Sequence, residues 1–245
     1  MRPQTWADDD GTRRPVLVQR FPAGWRAVSS AILGGGIGPR GWWMNAQVSK
    51  EYFHPDPVAH ARAIAASLGL AGDGVAMLTA ADASRFREAS DVGVEAVATV
   101  GLGFPVPASA AAVEPSVAGP VVTQGDSPGT INIMVTVPVA LSDAALVNAV
   151  LTATEAKTQA LIEAGVPGTG TSSDAICIAC PATGPEDPEP YGGPRSRWGA
   201  RIARAVHAVV AAGTEDWVTV HPPGDPHRYG DWRPIRAVSS DHNAR

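Results

Sequence analysis

The chain is short of several things at once. Its 245 residues include only two cysteines, Cys177 and Cys180, and aromatic residues make up 6%. One cysteine pair cannot staple a chain of this length, so a disulfide framework is excluded. Both cysteines fall in the strand-like run AICIAC, where residues three apart point to opposite faces. A C-x-x-C redox pair or half a metal site is therefore not expected. No apolar run is long enough to span a bilayer, and the opening MRPQTWADDDGTRRP has no apolar segment of the secretory kind. The expectation is a cytoplasmic protein. Positive charge is scarce too: 19 Lys and Arg against 24 Asp and Glu give a net charge of -5. That balance lacks the basic stripe that nucleic acid demands, and no membrane partner is expected either. The six histidines are scattered, with no H-E-x-x-H and no H-x-H, so neither a metal nor a cofactor is expected.

What is present suits one sizeable core, since 44% of the chain is hydrophobic and 18% charged. Strand-like runs alternate with helical ones. PVLVQRF and WRAVSSAIL read as strands joined by PAG in a hairpin, and GGGIGPRGWW interrupts regular structure. DPVAHARAIAASLGL reads as a helix with Asp56 as N-cap, Pro57 at its first position and Gly69 past its end. GVAMLTA and GVEAVATVGL are strand candidates around a short helical patch, and GTINIMVTVPV is the clearest strand. Residues 103 to 128 read as a surface loop. A long helix follows from Asp143 to Ala164, capped by Ser142 and stopped by Gly165, and a last one runs from Trp198 to Ala212 before Gly213. The fold class expected is α/β, a single layered domain with a mixed sheet flanked by helices, with mixed α+β as the open alternative. The domain spans 16–215, between a loose arm at 1–15 and a Pro-, His- and Arg-rich tail at 216–245.

The long helix carries a puzzle. On a wheel of about 100° per residue, Leu146, Val147, Val150, Leu151, Leu161 and Ile162 gather into one arc. Asn148, Thr152, Gln159 and Glu163 take the opposite side. Thr154 and Lys157 intrude on the apolar arc, Thr158 lies close to it and Glu155 sits at its edge. An ammonium facing inward needs a partner, because unpaired burial costs several kcal/mol. The next segment, GTGTSSD, supplies one: Asp174 stands at the mouth of a strand behind Thr169, Thr171, Ser172 and Ser173. Thr79, Thr99, Thr130 and Asn132 end or begin strands and suggest a shared rim where α/β folds carry ligands, and the cluster WWMNAQVSKEYFHPDP, with Asn45, could supply more of a site or be a loop and helix cap. LGGGIGP lacks the G-K-[ST] of a phosphate loop. Its Gly35 and Gly36 allow close approach of backbone to a bulky flat ligand instead.

Taken in order, SSAILGGG, WWMNAQVSKEYFHPDP, LTAAD, ATVGL, GTINI, TATEAK and GTGTSSD resemble the adenosylcobinamide amidohydrolases over about residues 28 to 212. The family's hydroxyl segment carries Thr before the aspartate where this chain has Ser173. The resemblance implies a corrinoid-salvage hydrolase that cuts the aminopropanol amide of adenosylcobinamide and yields adenosylcobyric acid. The substrate would bring its own cobalt, and self-association is left open. Amide hydrolysis needs a nucleophile, a proton donor for the leaving amine and an oxyanion site. The chemistry expected is Thr171 or Ser172 as nucleophile, Lys157 as base and then acid, Asp174 orienting it, and the N–H groups of GTG binding the oxyanion. In the rival scheme Glu155 or Asp174 activates water. Gly35, Gly36, Trp43, Asn45, Thr79, Thr99, Thr130 and Asn132 are the expected substrate contacts, with an exposed Trp42 or Trp43 stacking on the ligand. A corrinoid binder without chemistry, or an amidase for another substrate, are the alternatives.

Overall fold

The computed structural model describes residues 1–8, 10–110, 129–228 and 232. The expected loop over 103–128 falls partly outside them. Ten strands and three α-helices are formed among the described residues. The strands are β1 (Gln4–Ala7), β2 (Arg13–Arg20), β3 (Trp25–Ser29), β4 (Gly36–Pro39), β5 (Trp42–Gln47), β6 (Gly74–Thr79), β7 (Arg87–Asp91), β8 (Val94–Val100), β9 (Ile131–Thr136) and β10 (Ala175–Pro181). The helices are α1 (Pro57–Ser67), α2 (Asp143–Glu163) and α3 (Arg197–Val220). The α+β class and the mixed strand directions agree with the sequence, but the strands divide between two sheets, in the orders β1-β2-β5-β6 and β4-β3-β10-β9-β8-β7. In the first, β5 and β6 are parallel, and in the second β9 and β10 are.

Three apolar clusters define four layers. Leu17, Trp43, Val75 and Met77 of the first sheet meet Val97, Met134, Ala175, Cys177 and Ala179 of the second. Ile131, Ile133, Ile176 and Ile178 on the second sheet's other face pack against α2 and α3. Met44, Ala46 and Ala76 on the first sheet's other face pack with Ala61, Ile64 and Ala65 of α1. The period-2 alternation of β10 decides which side each residue serves: Ala175, Cys177 and Ala179 face the other sheet, while Ile176, Ile178 and Cys180 face the helices. The two cysteines thus lie on opposite faces, as their spacing implies. Burial pushes the Cys177 thiol up to about 12 and raises that of Cys180. Since the thiolate is the reactive form, the folded protein is expected to show no reaction with a thiol-specific disulfide reagent near pH 8 and to release two thiols after denaturation. Rapid native labelling would mean that β10 is open to solvent.

The sequence misplaced several pieces, each for a physical reason. The first residues are not a loose arm: β1 pairs with β2, and Trp6 is buried with its indole N–H donating to the Gln47 carbonyl. Strands β2 and β3 are not a hairpin, because the PAG turn carries the chain from one sheet to the other. GIGP within the glycine-rich stretch forms the short edge strand β4 along β3. Helix α3 does not stop at Gly213. That residue is buried against the Val100 side chain, where a larger one would collide, and the helix runs on to Val220. Helices α1 and α2 have the expected caps, with Asp56 accepting from the Ala59 N–H and Ser142 from the Ala145 N–H. No helix among the described residues is long and apolar enough to cross a membrane.

Candidate functional site

Strands β9 and β10 start side by side, and the polar segments that precede them meet there. Ala175 is registered with Asn132, so Asp174 stands beside Ile131. Alternation turns Asp174 toward the helices, where α2 offers Lys157. The ammonium of Lys157, a residue 7% exposed, donates to Asp174 Oδ2 at 2.5 Å. The same oxygen accepts the Thr171 N–H at 3.1 Å. Asp174 Oδ1 accepts the Thr171 hydroxyl at 2.5 Å and the Ile131 N–H at 2.9 Å. The carboxylate therefore has four donors, one of them an ammonium, and is a shared acceptor between amine and alcohol. The inward lysine and its partner are as the sequence proposed. The order is different: Asp174, not Lys157, touches the Thr171 hydroxyl.

Gly170 closes this knot. A methyl group there would overlap the Asp174 carboxylate and lie 2.5 Å from Lys157 Nζ, so no larger residue fits without breaking the pair. Gly129 does the same on the other side, where an added carbon would sit 2.7 Å from the Gly101 carbonyl and 3.0 Å from Thr171 Cγ2. Neither glycine's role was visible in the sequence, because both arise from contacts between distant segments. Ser173, also outside the expected site set, pairs its hydroxyl with that of Thr130 at 2.8 Å and donates to the Gly129 carbonyl.

A second polar group sits between the sheets. The Asn45 amide donates to the Thr99 hydroxyl at 2.9 Å and accepts from the Asn132 amide at 2.9 Å. Asn132 also donates to the Leu78 carbonyl, beside Thr79. All three side chains are buried, and Asn132 Oδ1 has no partner. Thr79 is buried too, its hydroxyl accepting from the Ala81 N–H. Since Asn132 and Ile131 are neighbours on β9, this bridge and the Asp174 knot occupy the two faces of one strand end.

The remaining expected residues lie elsewhere. Trp43 is 1% exposed and packs in the core between the sheets, and Trp42 is buried as well, so neither offers a stacking surface. Gly35 and Gly36 lie by β3 and β4, on the far side of β3 from β10. Ser172 is exposed and Glu155 faces outward from α2, away from Lys157. Two of the GTG amides are engaged: Gly168 N–H donates to the Val166 carbonyl and Thr169 N–H to the Val106 carbonyl, while the Gly170 carbonyl accepts from the Val106 N–H. The Gly168 and Thr169 amides therefore do not serve an oxyanion. Among the described residues no three His, Cys, Asp or Glu side chains converge as a metal site requires.

The wheel of α2 also reads differently in three dimensions. Its buried face is Ala145, Ala149, Ala153, Ala156 and Ala160 with Leu146, Thr152, Lys157 and Leu161. Small residues let the helix approach the sheet and α3 closely, and Thr152 is admitted because its hydroxyl reaches the Gly192 carbonyl. Val147, Leu151 and Ile162 are left outside. A wheel weighted by large apolar side chains points to the wrong arc.

Comparison with known proteins gives three matches. A family model described as adenosylcobinamide amidohydrolase matches residues 3–222. A Methanosarcina mazei protein of that name is 31% identical over 196 residues, covering 77% of this chain and 90% of that protein. A Halobacterium salinarum protein of the same name is 42% identical over 86 residues, 35% of this chain and 36% of that protein.

Proposed function

From the premise that the chain belongs to the adenosylcobinamide amidohydrolase family, we propose that it hydrolyses the amide joining the corrin side chain of adenosylcobinamide to aminopropanol, releasing adenosylcobyric acid for corrinoid salvage. It is a hydrolase of an amide carbon–nitrogen bond. The observation that carries the chemistry is the single carboxylate, Asp174, shared by the Thr171 hydroxyl and the Lys157 ammonium. An alcohol already donating to a carboxylate oxygen at 2.5 Å has a path for its proton as its oxygen attacks a carbonyl. The Thr171 oxygen bonds to the amide carbon, and its proton passes to Asp174. The carbon–nitrogen bond breaks as Lys157, on the other carboxylate oxygen, supplies a proton to the leaving amine. Water then hydrolyses the ester at Thr171 and the protons return. Asn45, Thr79, Thr99, Thr130 and Asn132 are buried and brace the strand ends beside the knot rather than touching substrate, while exposed Ser172 offers a hydroxyl at the surface of the site. Gly35 and Gly36 lie apart from this site, beyond β3.

Glu155 has no place in this scheme, being on the outer face of α2. The rival in which Asp174 activates water, with Thr171 only holding substrate, keeps the same residues. Incubating purified protein with adenosylcobinamide and following cobyric acid and free aminopropanol by mass spectrometry tests the activity. Acid quenching during turnover, followed by intact mass, looks for the ester. Binding without product would favour a corrinoid carrier, and neither binding nor product an amidase for another substrate.

A further inference from the structure

The glycine-rich stretch takes no part in the amide chemistry, yet it holds a cation in place. Arg40 lays its guanidinium along that stretch. Nε and Nη2 donate to the Gly34 carbonyl at 3.2 and 3.1 Å, and Nη2 also reaches the Gly35 carbonyl at 3.4 Å. Nη1 donates to the Pro39 carbonyl at 2.7 Å. The fit depends on glycine. A methyl group at Gly38 would lie 2.8 Å from Arg40 Nη1, and one at Gly34 would sit 2.0 Å from the Gly74 carbonyl. Neutral carbonyls fix the direction of the guanidinium but do not cancel its charge, and one Nη1 N–H is left unengaged.

Arg40 borders a half-enclosed cavity of about 460 Å³ where β5 and β6 begin, a volume within the range of small-molecule sites. The lining includes Gly34 and Arg40, Arg62 of α1, and Trp42, Asp73 and Gly74 at the strand starts. Arg62 is exposed. Among the described residues neither Arg40 nor Arg62 has a carboxylate within ion-pair distance, and Asp73, the one acid of the lining, pairs with neither. The cavity thus carries net positive charge in a chain whose overall charge is -5. Two guanidiniums on one hollow repel each other, and an anion between them turns that repulsion into attraction. We propose that this cavity is an anion site that takes a phosphate group, as inorganic phosphate or as the phosphate of a small monoester. A carboxylate has two oxygens, enough for one guanidinium fork. A phosphate dianion has oxygens for both forks and the charge to match them. The site is separate from the Asp174 knot. The Asn132 bridge reaches β6 at Leu78, near its end, whereas the cavity lies at Gly74, its first residue.

The test is isothermal titration calorimetry of the full chain with inorganic phosphate and with ribose 5-phosphate, at an ionic strength held constant with sodium chloride. Saturable one-to-one binding of at least one probe is expected. The tighter probe identifies the source of the phosphate, and equal affinities assign recognition to the phosphate group alone. Arg62→Ala is expected to weaken binding about tenfold or more, the loss of one charge-assisted contact. Asp73→Asn is expected to tighten it, because the one repelling charge is gone. Arg40→Ala can fail to fold, since its guanidinium ties three carbonyls together, so exposed Arg62 carries the test. As a second readout, phosphate is expected to raise the unfolding temperature of the wild type and to leave that of Arg62→Ala unmoved. No saturable binding of either probe, or equal binding by wild type and Arg62→Ala, overturns the proposal.

Discussion

Replacing Asp174 with alanine is expected to abolish turnover and to cost about 3–5 kcal/mol of stability, the range for stranding one member of a buried ion pair. The Lys157 ammonium would then have no partner, because Asp174 is its one acceptor among the described residues. Two backbone N–H groups and the Thr171 hydroxyl would lose their acceptor with it. Lys157→Met removes the other member, and the asymmetry is informative. The carboxylate would keep three donors, so the loss of stability is smaller, about 1–3 kcal/mol. Turnover is still expected to fall by about 10²–10⁴, the usual contribution of a positioned proton donor. Denaturant unfolding of both single variants and of the Lys157→Met, Asp174→Ala double variant gives the coupling between them. The double variant is expected to be more stable than Asp174→Ala, since neither charge remains uncompensated. Near-normal turnover by Lys157→Met would remove the amine from the chemistry and leave it a structural partner.

How far the sequence reached follows from the range of the contacts involved. Lys157 and Asp174 are 17 residues apart, and the helix period plus one short connection suffices to bring them together. The caps Asp56 and Ser142 are legible for the same reason, because the bonds that justify them span three residues. Thr99 and Asn132 stand out as strand-end residues and Asn45 as part of a polar and aromatic cluster, but their union spans up to 87 positions and needs the packing of two sheets. No local pattern announces that. The burial of Trp43 hides behind the same packing, because a strand covered by a sheet on one side and a helix on the other offers no exposed face. Helix α2 misled in another way. Its alanines carry little weight on a hydrophobic wheel, although close approach to a sheet and a second helix selects small side chains over large ones.

Thr171 separates the two chemical routes more sharply than any other position. Thr171→Val keeps the shape of the side chain and deletes the oxygen, so the knot loses one hydrogen bond, worth about 1 kcal/mol, while Lys157 and Asp174 stay paired. If the Thr171 oxygen forms the ester, turnover is expected to fall on the order of 10³ or more, since only binding and electrostatic contributions survive loss of a nucleophile. Thr171→Ser would restore much of the rate and the acid-stable adduct mass together, because serine presents the same hydroxyl to Asp174 Oδ1. If Asp174 instead activates water, no adduct would appear in any variant. In that case Asp174 has to reach water on the side that Thr171 occupies. The valine methyl then excludes that water and Thr171→Ala admits it, so an alanine variant faster than the valine variant would assign the attack to solvent and retire the ester.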